Sequence, residues 1–285
     1  MNITRKTFMA AGAGLFLNRL AQAQATSPIS AARIGEIVNS PDRSAADRTN
    51  DLRRRPEAML AFIGLRPGMT ALDLSAAGGY TTELLARAIG PAGMVYGQSR
   101  PPNPSAAARP AVAPEGNSNP NLPAPAAPAT GPRPSPVALA EREARLRAAG
   151  IAAAPIVALS RPFEDPLPPE LAEARFDLVT LMFNYHDLGH LGIDRAAMNR
   201  AVFRALRPGG HYVIADHAGR PGTGISEAGT LHRIEEAFLR SEVETAGFRL
   251  VAEGNFLRNP NDPRDRNAPD PPQPKDQFVL KFGRP

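Results

Sequence analysis

Residues 70–97, TALDLSAAGGYTTELLARAIGPAGMVYG, restrict the possible folds more than any other stretch of this chain. A short apolar run contains Asp73, a turn of small residues follows at 75–79, and a helix is expected over 80–89, with Leu84, Leu85 and Ala88 on one stripe. Gly90-Pro91-Ala92-Gly93 stops that helix, and a second apolar run begins at Met94. Strand, helix and strand at this spacing predict a right-handed crossover between parallel strands. The turn has the outline of a nucleotide-binding loop, where glycines permit positive φ and let a ligand approach the backbone. Gly78 and Gly79 are in place, but Ser75 and Ala77 stand where such turns usually carry glycine. A non-glycine residue costs about 1–2 kcal/mol if its position demands the left-handed conformation. Both replacements are small, so they do not exclude a ligand sterically.

The remaining segments extend this pattern. One or two helices are expected over 40–69, ended by Arg66-Pro67-Gly68, with Ala58, Met59, Phe62 and Ile63 on one face. A helix over 137–149 precedes a strand at 155–159, and FDLVTLMFNYHDL reads as a strand running into a polar turn. Asp194 is placed to cap a helix over 195–206, and HYVIADHAG is a further strand. LHRIEEAFLRSEVETAGF is a helix with Gly247 at its C-terminal cap, and FRLVAEGNFL and QFVLKF are strands joined by a proline-rich loop, 259–275. The expected fold class is therefore α/β: a doubly wound, mostly parallel seven-stranded sheet with an antiparallel last strand.

Composition limits the partners. The chain has 285 residues, and its 31 prolines cluster around 101–136 and 260–274. Residues 100–136 offer almost nothing to bury and read as a disordered Pro/Ala-rich insertion. The absence of cysteine removes disulfides, thiolate metal sites and cysteine nucleophiles. The net charge of +5 is arginine scattered among acids rather than a basic stripe, so no nucleic-acid partner is expected. The cluster Arg53-Arg54-Arg55 is expected to solvate one helix face. MNITRKTFMAAGAGLFLNRLAQAQA has the basic start, apolar middle and small-x-small end of a signal peptide, here of twin-arginine type, over residues 1–25. Residues 26–285 then form the functional domain, exported to the periplasm and without a transmembrane segment. The oligomeric state has no signature in the sequence.

From about residue 41 onward the chain resembles the class I S-adenosylmethionine-dependent methyltransferases, and more narrowly bacterial predicted methyltransferases that often carry export signals. The resemblance rests on LRPGMTALDLSAAGGYTTELLARAIGPAGMVYGQ, FDLVTLMFNYHDL, DRAAMNRAVFRALRPGGHYVIADHAGRPGTG, LHRIEEAFLRSEVETAGFRLVAEGNFLRNPNDPRD and QFVLKF. It implies S-adenosylmethionine as cofactor, a Rossmann-like fold, and methyl transfer to an unidentified small-molecule or lipid-like acceptor. It also implies that Asp73, Ser75, Ala77, Gly78 and Gly79 surround the cofactor. At the end of the second strand the family usually carries an acid for the ribose hydroxyls. This chain has Gln98, which can accept only a neutral hydrogen bond there.

Phe183-Asn184-Tyr185-His186-Asp187 follows the fourth strand and Asp216-His217 ends the fifth, so both open toward the crevice outside the carboxyl ends of the strands. His186 or His217 is a candidate base near neutral pH, with Asp187 or Asp216 to orient it. Asn184 is assigned to the cofactor, and Tyr185 and Asp216 to the substrate. His186 and His190 are four apart, but LGHLG reads as a loop, where that spacing has no chelating geometry, so no metal ligand is assigned. His232 lies either at the mouth of the crevice or on the surface. The loop 259–275 and the helix before the first strand are candidates to cover the crevice. Two alternatives accompany the methyltransferase reading: an exported, non-catalytic binding protein on the same fold, and a metal-assisted hydrolase using the same crevice.

Overall fold

The computed structural model describes residues 27–101, 133–269 and 272–285. The segments read as signal peptide and as insertion fall almost entirely outside these. The helices are α1 (Ala31–Val38), α2 (Ala45–Arg54), α3 (Pro56–Ile63), α4 (Tyr80–Ile89), α5 (Ser135–Ala148), α6 (Tyr185–His190), α7 (Arg195–Ala205), α8 (Ala228–Leu231) and α9 (Glu236–Thr245). The strands are β1 (Thr70–Leu74), β2 (Met94–Ser99), β3 (Ile156–Ser160), β4 (Phe176–Met182), β5 (Leu206–His217), β6 (Arg249–Gly254) and β7 (Gln277–Gly283). They form one sheet in the order β3-β2-β1-β4-β5-β7-β6. β7 runs antiparallel to both of its neighbours, and the other pairings are parallel. This is the doubly wound architecture expected from the sequence.

The sheet divides two cores by the period-two alternation of its strands. Ala71, Leu178, Val213, Ala215 and Val279 face one layer, which is completed by Ile34 and Ile37 of α1, Leu60 and Ile63 of α3, Leu85 and Ile89 of α4, and Leu139 and Leu146 of α5. Leu72, Leu74, Val179, Leu181, Tyr212, Ile214 and Leu280 face the other, packed by Met198 and Val202 of α7 and Leu239 and Val243 of α9. Both faces of the central strands are covered, so their sequences read as nearly continuous apolar runs.

Local chemistry fixes the ends of the elements. Ser44 caps α2 by accepting from the Asp47 amide, and Asp194 caps α7 by accepting from the Ala197 amide, as expected from its position. Arg55 adopts φ 44° and Pro56 opens α3, so the chain turns sharply between α2 and α3. Residues 40–69 thus hold two helices, within the one or two expected there, and α1 precedes them. Residues 185–190 are helical, which corrects the loop expected around His190. Among the described residues no helix is long and apolar enough to cross a membrane.

Candidate functional site

β1 and β4 are adjacent, while the chain proceeds outward from β1 to β3 on one side and from β4 to β5 on the other. The crevice at this switch point opens at the C-terminal ends of both strands. Asp73 is buried there and accepts from the hydroxyls of Thr82 (2.6 Å) and Thr180 (2.8 Å). Burial raises its pKa to about 6 against the opposing effect of those two bonds. Beyond it the turn takes the left-handed conformation at Ser75 (φ 57°), Ala77 (φ 46°) and Gly79 (φ 77°). The two positions that depart from glycine are therefore the positions that demand it. Phe183, at the end of β4, is also left-handed (φ 60°). Three strained residues face one another across the switch point.

The glycines divide their work. A Cβ on Gly78 would meet open space, so this residue leaves the ligand side clear. A Cβ on Gly79 would lie 2.6 Å from Leu139, and one on Gly97 would lie 2.5 Å from the same side chain. Gly79 is thus required by its own backbone and by the packing of α5, and it does not line the cleft. Gln98 is also corrected. Its side chain is fully buried, its carbonyl oxygen accepts from the Ser75 amide (3.2 Å), and its amide donates to the Arg161 carbonyl (2.7 Å). It braces the strained turn from behind and presents nothing to a ribose.

The cleft itself has a volume of about 350 Å³, within the range of small-ligand sites. Asp73, Ser75, Ala77, Gly78 and Asn184, all singled out in the sequence, line it. Asn50, Arg53 and Arg54 of α2, Arg142 of α5, and Phe183 line it too. The Arg54 guanidinium stacks 3.8 Å from the centroid of the Phe183 ring, so the arginine cluster is part of the wall rather than a solvated face. Arg142 pairs with Asp47 and Glu83 and donates to the Gly78 carbonyl, tying α5 to α2, α4 and the turn. It is α2, one helix further back than the one directly before β1, that lines the cleft, and no described residue of the 259–275 loop does. A narrow apolar pocket shares Arg54, Tyr80, Thr81, Met182 and Phe183 with the cleft and continues it toward Met59 and Leu60 of α3.

The polar run after β4 is arranged differently from expectation. Asn184 accepts from the Ser75 hydroxyl (2.5 Å) and donates to Asp187 Oδ2 (2.7 Å), linking the turn to α6. Tyr185 is buried in the opposite layer, where its hydroxyl donates to Glu242 (2.9 Å) and accepts from Asn199 (2.8 Å). It cannot touch a substrate in the cleft. His186 is fully buried, and Asp216 grips it twice, at the ring Nδ1 (2.6 Å) and at the backbone amide (2.8 Å). Burial opposes a charge on His186, but Asp216 and Asp187 outweigh it and raise its pKa to about 10. A group so held is neither a neutral base at pH 7 nor in reach of an acceptor. His217 is also buried, with Gln277 Nε2 3.1 Å from its Nδ1 and its ring between Phe183 and His186. Asp216, expected to contact substrate, is buried beneath these rings and clamps His186. Asp187 is partly exposed beside the cleft, facing histidines.

Arg142 and Asn50 carried no signal in the sequence, because each reaches the cleft only through its helix's packing. The Arg53-Arg54 pair was visible as a cluster, and the aromatic at 183 that seats Arg54 was visible too, but not their contact.

No family model matches the sequence, and no curated protein sequence does. Solved structures do share the fold. A Haloferax volcanii protein assigned as a methyltransferase, in complex with the Trm112 methyltransferase activator, has a TM-score of 0.50 at 16% identity, covering 90% of this chain and 99% of that one. A Galdieria sulphuraria protein assigned as a sarcosine dimethylglycine methyltransferase has a TM-score of 0.50 at 15% identity, covering 83% and 85%. The chain is thus built on the fold of the class I S-adenosylmethionine-dependent methyltransferases.

Proposed function

We propose that the chain binds S-adenosylmethionine in the cleft between β1 and β4 and transfers methyl to a small-molecule or lipid-like acceptor. One observation carries this reading: Ser75, Ala77 and Phe183 are all held at positive φ around a single cleft. Strain of about 1–2 kcal/mol at each residue, gathered three times around one cleft, fits a ligand site that requires that backbone. The lining fits the cofactor's chemistry. Arg53 and Arg54 place positive charge on the wall that a ligand carboxylate would face, and the backbone at Ser75–Gly78 leaves room against the turn. When bound, S-adenosylmethionine supplies an electrophilic methyl group.

The chain's own residues orient and shield the reactants. Arg54 stacked on Phe183 closes the α2 side. Among the lining residues only Asp73 titrates near neutral pH, and both its oxygens are committed to Thr82 and Thr180. An acceptor atom that carries no proton to be removed, such as a thiolate or an aromatic ring nitrogen, therefore fits better than an alcohol.

The alternative of a non-catalytic binding protein is favoured by one specific feature. Gln98 is spent inside the fold, and Leu139 presses onto Gly97, so the β2 side offers no acid to ribose hydroxyls. Calorimetric titration with S-adenosylmethionine and S-adenosylhomocysteine separates the two readings. Micromolar binding is expected, and it should be lost in Gly78→Leu, which fills the cleft at a position without backbone strain. No heat from the folded wild type would favour the binding protein. Export is proposed on the N-terminal sequence alone, and cell fractionation tests it.

A further inference from the structure

The chain has five histidines, and four of them, His186, His190, His217 and His232, gather around α6. The methyltransferase reading uses none of them. We propose that His186 Nε2, Asp187 Oδ1 and His232 Nδ1 form a binding site for one divalent first-row transition ion of the zinc type. The inference stands on these side chains and does not depend on the reading above.

The argument begins at His186. Asp216 accepts the backbone amides of His186 and His217 at 2.8 Å each and lies 2.6 Å from the His186 Nδ1, so the proton of that ring belongs on Nδ1. This is the carboxylate–histidine arrangement that fixes a ligating imidazole's tautomer and orientation. Once the ring gives up its second proton, Nε2 presents a lone pair. It is fully buried and makes no hydrogen bond, and Asp187 Oδ1, another acceptor, lies 3.3 Å away. A buried ring nitrogen facing a carboxylate oxygen at this distance requires a positive species, a proton or a metal ion, between them.

The neighbours converge on that same oxygen. Asn184 holds Asp187 by its other oxygen, Oδ2, which leaves Oδ1 turned toward the rings. His232 is held in the left-handed region (φ 51°) and brings its Nδ1 to 3.2 Å from Oδ1. A tetrahedral ion with bonds of about 2.0–2.1 Å has ligand–ligand edges of about 3.3–3.4 Å. Two of the three separations are already near that length, and all three donor atoms lie within 4.8 Å of one another. His190 Nδ1, 3.8 Å from Oδ1, is placed for a fourth position, which water can otherwise fill. Two imidazoles and one carboxylate suit zinc or iron(II) better than magnesium or calcium, which prefer all-oxygen sites. Asp187 and His232 are partly exposed, so an ion has a path in.

A proton can also separate the two acceptors, making His186 an imidazolium between two carboxylates. Metal content decides between them. The purified full chain is stripped with chelator, equilibrated with Zn²⁺ and freed of excess by gel filtration. Elemental analysis should then find about one zinc per chain. His232→Ala and Asp187→Asn should each retain at least about tenfold less, and His211→Ala, on the early part of β5, should retain as much as wild type. Cobalt(II) gives a readout that needs no variant: the strong visible absorption of a four-coordinate site. Absence of retained zinc, zinc retained equally by His232→Ala and Asp187→Asn, or only the pale spectrum of hydrated cobalt would overturn the site and leave the imidazolium.

Discussion

Asp73 carries the clearest consequence of this architecture at the scale of one residue. Its folded pKa of about 6 lies above the ordinary carboxylate value of 3.8, so the folded state holds its proton more tightly than the unfolded chain does. The sign follows directly: Asp73 favours folding below pH 4, and that contribution is lost as pH rises through 6. Two units at about 1.4 kcal/mol each give at most about 3 kcal/mol at pH 7. Asp73→Asn should therefore raise stability at pH 7.5 by roughly 1–3 kcal/mol and change it far less at pH 4, read from urea midpoints at both values. If the pH dependence is the same in both proteins, the carboxylate is solvated and the cleft is wetter than its lining implies. Ser75 and Ala77 were legible in the sequence as departures from glycine, but whether they cost anything depended on their φ angles. Gln98 was misread because a strand's residues alternate in direction, and sequence alone did not say which way this one points.

The elements are held to one another by arginine, and that explains why an arginine-rich chain shows no basic stripe. Arg142 joins α5 to Asp47 of α2 and Glu83 of α4, and Arg87 of α4 reaches both Glu83 and Asp42. Arg233, the largest fully buried side chain, pairs with Asp262 and donates to the carbonyls of Ala218 and Arg266. Asp262 also accepts from the Asp276 amide, so one buried ion pair pins the long β6–β7 connection beside β5 rather than over the cleft. Asp262→Ala strands a buried guanidinium and should cost about 3–5 kcal/mol. Hydrogen exchange should show the loss concentrated in 259–276. A uniform loss across the sheet would mean that the connection is not a separate unit. Sequence showed Asp262 and Arg233 only as charges 29 positions apart, with nothing to mark the pair.

For the whole molecule, the chain between β2 and α5 is the longest connection between successive described elements, and its sequence is rich in proline and alanine. Loop closure costs grow only with the logarithm of length. Replacing residues 103–132 by a Gly/Ser linker of about half that length should raise stability by only about 0.6 kcal/mol and leave ligand binding unchanged. Denaturant titration and calorimetry on that variant check both. A loss of several kcal/mol would assign the segment a packing role that its composition does not suggest.

By itself the sequence determined the layer architecture, because strand and helix periodicities, caps such as Asp194, and breaks such as Gly90–Gly93 are local and survive in one dimension. It also marked the β1 turn and the polar run after β4. Tertiary structure alone decided what those residues do. Side-chain direction at Gln98, the burial of Tyr185, His186 and His217, the stacking of Arg54 on Phe183, and the approach of His232 to Asp187 all depend on contacts between distant segments. Those contacts are set by how the two cores pack, which no single stretch of the chain encodes.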